Sequence, residues 1–345
     1  MYSSTRKNTG LFVTLFVLIG LSIIISAVVG TANINAGDVT DVILSILFPF
    51  LNIESSDFAH TVFVELRLPR ILLALLGGMG FAISGTAMQG ILRNPLASPF
   101  TIGISAAAGF GASLAIIMNT GIIGNADWMV ICNSFAFAIF SALFVYSIAK
   151  FKGIRPDNII LAGIAIMYFF SACTSMLQYI ATDNQLKGVV HWMFGNLAVA
   201  NYQNITIVSC VMLICIPIIL KNSWGLNALA DGVETAMSLG VNPQRVRVTV
   251  LITSSAITAM IICFTGIIGF ICLGAPHISR LIVGNDHRYL IPFSGFVGAL
   301  LLLISDTIGR TVLSPAEVPV GIITSFIGVP LFVWLIINKK NRVNR

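Results

Sequence analysis

The side chains able to do chemistry are few, and they fall in groups. His277, Arg280, His287 and Arg288 lie within twelve positions of one another, a grouping that could serve proton transfer or hold a metal ion. No H-E-x-x-H pair and no paired acidic motif accompanies them. A structural role at a helix broken by Pro276 therefore fits Pro276, His277 and Arg280 better than catalysis. The six cysteines (Cys132, Cys173, Cys210, Cys215, Cys263 and Cys272) lie in apolar runs without a C-x-x-C pair and read as small hydrophobes. The dipeptide Gly-Lys never occurs, so the chain carries no phosphate-binding P-loop. The expected chemistry is non-covalent, with no catalytic residue, no metal centre and no cofactor.

Two further groups point to partners. Arg67 and Arg70 flank Pro69 at the start of an apolar run, and Arg310 ends another. A helix N-terminus already carries partial positive charge, so arginine there asks for an anionic partner: lipid phosphate, or acidic groups of another protein. Asp306, four residues before Arg310, can neutralise part of that charge. The second group is the segment 222–247. Asp231 is placed to cap a short helix with Glu234 three residues on. Gly240 can end that helix in the left-handed conformation. Asn242 then caps the next helix, with Pro243 in its first turn. A two-turn helix held in a tight corner suits a lever docked by another protein.

The elements that position these residues are membrane helices. The chain is 57% hydrophobic and 9% charged, against about 25% charge in soluble domains. The net charge of +6 is spread singly through short loops, which sets orientation in a membrane protein and argues against nucleic acid. Nine apolar segments stand out, at 11–31, 68–90, 100–119, 127–149, 157–181, 203–220, 248–271, 289–309 and 318–337. With nine crossings and Arg6 and Lys7 inside, the nineteen Lys and Arg divide ten inside and nine outside, which is no bias. If 275–284 also crosses, only Arg67, Arg70, Lys187 and Arg310 remain outside and the other fifteen are inside, as the positive-inside rule requires. The expected fold is thus an all-α polytopic membrane protein with about ten transmembrane helices and both termini cytoplasmic. One short, broken crossing lies near 275–284. Ten helical residues rise only about 15 Å, so this crossing must be buried in protein or line a wet cavity.

Other segments add detail. Residues 32–66 form a mixed extracytoplasmic stretch in which Asp38 to Phe48 has the spacing of an amphipathic helix packed on the bundle. The first apolar run is longer than a signal-peptide core and reads as a retained helix. Small residues recur at Gly77, Gly78, Gly80, Ser84 and Gly85, and from Gly103 to Gly111, a pattern that lets helices approach closely. Gly328 and Pro330 predict a kink in the last helix. Few charged groups lie within the spans, which counts against ion coupling.

Several blocks together resemble the iron-siderophore and vitamin B12 permease family of ABC importers (FecCD/BtuC-like). They are Arg67-Leu68-Pro69-Arg70; Gln89; Arg93-Asn94-Pro95-Leu96-Ala97-Ser98-Pro99; Glu234-Thr235-Ala236 followed by Ser238-Leu239-Gly240-Val241; Ala275-Pro276-His277-Ile278-Ser279-Arg280; Gly284-Asn285-Asp286-His287-Arg288; and Pro315-Ala316-Glu317-Val318-Pro319-Val320-Gly321. They cover most of 67–337. Thr235 and the stretch Ile271-Cys272-Leu273-Gly274 depart from the usual pattern.

The resemblance implies one permease domain over 1–345, not an enzyme, in the bacterial cytoplasmic (inner) membrane. It implies two separate ABC ATPase subunits docked on 222–247, through Asp231, Glu234, Thr235, Ala236, Leu239 and Gly240. It implies a second permease chain, identical or paralogous, with the fifth and tenth helices flanking the path. It also implies an extracytoplasmic substrate-binding lipoprotein or periplasmic protein whose acidic residues meet Arg67, Arg70 and Arg310. The short crossing would take part in gating or contact the ATPase. The expected cargo is an iron(III)-siderophore, with vitamin B12 or haem as alternatives. An ion-coupled secondary transporter is the rival mechanism. An intramembrane enzyme would need a polar constellation that the chain lacks.

Overall fold

The computed structural model describes residues 2–32, 34–48, 50, 56–124 and 126–343. Among them the chain is helical. In order the helices are α1 (Tyr2–Val28), α2 (Ala36–Leu47), α3 (Asp57–His60), α4 (Leu68–Leu92), α5 (Ile104–Met118), α6 (Ala126–Lys152), α7 (Pro156–Ile180) and α8 (Asp183–Met193). There follow α9 (Tyr202–Lys221), α10 (Ser223–Ala230), α11 (Val233–Ser238), α12 (Pro243–Thr265), α13 (Ile271–Val283), α14 (His287–Thr311) and α15 (Val320–Val343).

Seven helical stretches are long and apolar enough to cross a membrane: Thr9–Val28, Asp57–Leu92, Trp128–Phe151, Pro156–Ile180, Tyr202–Lys221, Pro243–Thr265 and His287–Thr311. Three shorter apolar helices, Ile104–Met118, Ile271–Val283 and Val320–Pro330, accompany them.

The core is built on α4, which is buried along nearly its whole length. It packs on α14, α12, α13 and α9. The small residues explain how. Gly78 on α4 and Gly298 on α14 face each other so closely that a Cβ on either would strike the other's carbonyl. Gly85 likewise faces the carbonyl of Cys272 on α13, and Gly111 on α5 faces the backbone of α6 at Asn133. Without these glycines the backbones could not approach to this distance, and dispersion contacts along the helices would be lost. The opposite extreme is α7, whose Leu161, Tyr168, Met176 and Tyr179 are strongly exposed. That bare apolar face is suited to lipid or to another chain.

Three boundaries differ from expectation. The run read as 248–271 stops at Thr265, because Gly266 takes φ +70 and ends the helix. The short crossing therefore starts earlier, at Ile271, and its thirteen residues rise about 20 Å, which is nearer to a span than the ten residues first assigned. Helix α4 is not the beginning of its span: α3 runs through a wide π-helical turn, Thr61–Arg67, directly into α4. Besides α3, the helices α8 and α10 were not foreseen. Helix α8 had a legible signal in Thr182 and Gln185, whose side chain accepts from the Thr182 N–H at 3.0 Å.

The amphipathic α2 forms where expected. Its entry is fixed by the Asp38 carboxylate accepting from the Asn35 N–H at 2.9 Å, and Val39 and Val42 are buried. Within 32–66, residues 33, 49 and 51–55 lie outside the described residues, as do the last two residues of the basic tail.

Candidate functional site

The segment 222–247 folds into a corner of three helix ends. Helix α10 closes at Asp231, and α11 opens at Gly232, which takes φ +132. This corrects the capping assignment: Asp231 ends one helix rather than starting the next, because only a glycine at 232 can make so sharp a reversal. No side-chain cap bond joins Glu234 to it. The exit is as expected. Gly240 is left-handed at φ +76. Its N–H donates to Met237 O at 3.0 Å, and the Val241 N–H donates to Ala236 O at 2.9 Å, the paired bonds of a Schellman motif. Asn242 then accepts from the Arg245 N–H at 3.0 Å and starts α12, with Pro243 in the first turn. Ala236 is fully buried and anchors the helix, while Met237 and Leu239 are exposed apolar side chains. Glu234, Thr235 and Gly240 are exposed beside them. A short helix set between two glycine turns thus offers an apolar and acidic face outward.

A polar joint ties this corner to α14, and nothing in the sequence marked its key residue, Asn227. The Asn227 Nδ2 donates to Asp286 Oδ1 at 2.7 Å. Its Oδ1 lies 2.8 Å from both the backbone N–H and the ring Nδ1 of His287, so the ring proton sits on Nδ1. Asp286 caps α14 by accepting from the Arg288 N–H. It also pairs with the Arg288 guanidinium at 2.6 Å. Arg288 first, and Asn227 after it, hold the Asp286 carboxyl down to about 2. Behind the joint, Arg280 on α13 donates to Gln89 on α4 at 2.8 Å. Of the residues singled out as a possible dyad, Arg280, His287 and Arg288 thus make ties between elements. Among the described residues no group of three His, Cys, Asp or Glu could hold a metal ion.

At the other end of the bundle the arginines are not presented to a partner. Arg67, Arg70 and Arg310 are only 4%, 8% and 3% exposed. Arg67 donates to Ala27 O and Val28 O, carbonyls left open at the end of α1, and to Ala32 O just beyond it, at 2.6–2.7 Å. Arg310 reaches Ser26 Oγ at 2.6 Å and Val29 O at 3.2 Å. Arg70 pairs with Asp306 at 2.9 Å and with Glu317 at 2.8 Å, and Arg310 Nε lies 3.1 Å from the same Asp306. The expectation of an acidic docking partner on these three side chains is thereby corrected: Arg70 and Arg310 are paired with carboxylates of the same chain, and Arg67 is held by backbone carbonyls. The reason is plain in the geometry. Because α3 runs on into α4, Arg67 lies inside a continuous helix rather than at an N-terminus. What these arginines fix is the exposed loop 312–317 and the end of α1.

The short helix α13 is preceded by Phe270, a bulky residue at φ +71, a conformation that L side chains adopt rarely and at a cost. Its ring fills the positions that a Cβ on Gly274 or on Gly328 would need. Gly328 is therefore where α15 receives the Phe270 ring. Pro330 sits inside the same helix and lines an apolar cavity of 670 Å³ with Phe194, Ile267, Ile322, Phe326 and Val329.

These features have counterparts among known proteins. The model of the FecCD transport family matches residues 17–338. A chain of Methanocaldococcus jannaschii described as an ABC transporter permease is 40% identical, over 98% of this chain and 97% of that one. The hemin transport system permease of Yersinia pestis is 34% identical over 93% and 95%. Among solved structures, a metal-chelate type ABC transporter in an inward-facing conformation superposes with a TM-score of 0.84 at 32% identity, over 96% of this chain and 99% of that one.

Proposed function

This chain belongs to the FecCD transport family and is a membrane permease subunit of an ABC importer, and on that premise we propose that it carries an iron(III) chelate of the siderophore class. Members of this family are transport subunits rather than enzymes, and the several apolar helices place the chain in the cytoplasmic membrane as a multi-pass protein. Two observations support the cargo. A Bacillus subtilis relative, 32% identical over 97% of this chain, bears the name of an Fe(3+)-citrate permease, and the solved relative is of metal-chelate type. Vitamin B12 and haem are the competing cargoes.

The observation that carries the mechanism is the short α11, entered at Gly232, closed by the paired bonds at Gly240 and exposed on its outer face. Two ATPase subunits dock there, one on each of two permease chains, through Glu234, Thr235, Leu239 and Gly240, with Ala236 as the buried anchor. Closure of the ATPases moves the corner, and α13 and α15, joined at Phe270, open or close the apolar cavity beside them. Cargo meets weak apolar contacts there, which allow release. A substrate-binding protein meets the outward loops that the buried arginines hold in shape. The chain stabilises two alternating states and makes no covalent bond.

The test is uptake of radiolabelled iron-siderophore into vesicles holding the permease, its ATPase and its loaded binding protein. ATP-dependent uptake that survives collapse of ion gradients is expected. Uptake that needs an ion gradient and no ATP would overturn the mechanism. A co-purifying binding protein loaded with cobalamin or haem would overturn the cargo.

A further inference from the structure

A second site lies in a cleft of 1130 Å³ beside the coupling corner, with which it shares Gly240. It is bounded by the turn between α6 and α7, the end of α4, the end of α11 and the start of α12. Its charged lining is unbalanced: Arg93, Arg155 and Arg247 face it, against Asp157 alone. Two long helices also open onto it with their N-termini, α7 at Pro156 and α12 at Pro243. Each adds partial positive charge from orphan backbone N–H groups, and α7 has no side-chain cap bond to satisfy its first turn.

Arg247 lines the cleft from within the fold. It is only 5% exposed. Its Nη1 donates to Ile154 O at 2.7 Å, and its Nε has no partner among the described residues. A buried guanidinium with an open donor and no carboxylate of its own is costly. Elsewhere in this chain the buried arginines have been given an acid or several carbonyls. Arg93, left-handed at φ +49, reaches only weakly, at 3.4 Å, to Ala230 O, and it and Arg155 are exposed at the mouth.

We propose that this cleft binds a phosphate-bearing anion, with Arg247 at its floor and Arg93 and Arg155 at its mouth. Planar guanidinium forks and helix N-termini are the groups that recognise phosphate oxygens. The source that fits the place is the headgroup of an anionic phospholipid, since the charge distribution sets this turn at the cytoplasmic membrane surface, where such lipids gather. Free phosphate has the same chemistry. Because Val233, Met237 and Gly240 line the same cleft, the bound anion buttresses the coupling corner.

The experiment follows thermal unfolding of the full-length chain in neutral detergent at constant ionic strength. Phosphatidylglycerol, phosphatidylcholine and inorganic phosphate are titrated separately. Phosphatidylglycerol is expected to raise the midpoint saturably and phosphatidylcholine to leave it unchanged. Replacing Arg93 and Arg155 by Gln should weaken the apparent affinity about tenfold, as lost charge-assisted bonds imply. Both positions are exposed, so the fold survives the change. Lys221→Gln, an exposed basic position away from the cleft, should leave the affinity unchanged. A saturable effect of phosphatidylglycerol alone assigns the lipid; an equal effect of inorganic phosphate assigns the free anion. The absence of a saturable shift with either anion, or an equal loss in Lys221→Gln, would overturn the site. ATPase docking does not enter this assay, so its failure and that of the coupling mechanism are separable.

Discussion

At the scale of the residue, the informative feature is how buried charge is satisfied. Asp306 stands between Arg70 and Arg310, at 2.9 and 3.1 Å, with a fully buried side chain. Removing one member of such a set leaves its partners uncompensated, which costs about 3–5 kcal/mol. Asp306→Asn should therefore lower the thermal unfolding midpoint of the purified chain steeply; a loss below about 1 kcal/mol would show that the arginines have other acceptors. Half of this set was legible. Asp306 and Arg310 are four apart on one helix, whereas Arg70 and Asp306 are 236 positions apart, and no local pattern connects them. Asp286, which is partly buried at the helix start, gives a pH prediction. Its carboxyl is held at about 2 in the folded chain, below the ordinary value of about 3.9. The stabilisation is thus complete above that ordinary value and disappears as pH falls from about 4 toward 2. Acid stability of Asp286→Asn should lack this component, a difference that unfolding measured across that range would detect.

At the scale of the element, the corner at 222–247 is shaped by ends that are closed differently. Gly232 and Gly240 turn the backbone, Ala236 anchors, and Asn227 bolts α10 to the start of α14. These parts separate in a mutational test. Glu234→Lys reverses the exposed charge and should weaken association with the ATPase subunit. Asn227→Ala leaves the docking face intact, so association should persist while transport falls. Equal loss of association in both variants would mean that Asn227 holds the shape of the docking face rather than passing its motion on. The sequence showed Gly240, Asn242 and Pro243 in their true roles because caps act within four residues. It misplaced Asp231 because two adjacent helices compete for that residue. It missed Asn227, whose partners lie about sixty positions away.

At the scale of the whole molecule, the arrangement to be tested is topology. Leu313 and Asn285 are both exposed, on opposite ends of α14. Ten crossings place Leu313→Cys within reach of a membrane-impermeant maleimide added outside and Asn285→Cys out of reach. The reverse labelling pattern would refute the count.

What the sequence determined by itself was the class of the protein and the character of its parts. An apolar excess cannot be dissolved in water, basic loops select one side of the membrane, and caps and glycines act on their near neighbours. Tertiary structure alone decided which charges meet. It buried Arg67, Arg70 and Arg310 against the end of α1 and against Asp306, ended α12 six residues early at Gly266, and seated Phe270 against Gly328. Each of these depends on helices approaching across long stretches of chain. The close contact of Gly78 with Gly298 draws α14 onto α4, and so brings Asp306 to the arginines that the sequence had left looking outward.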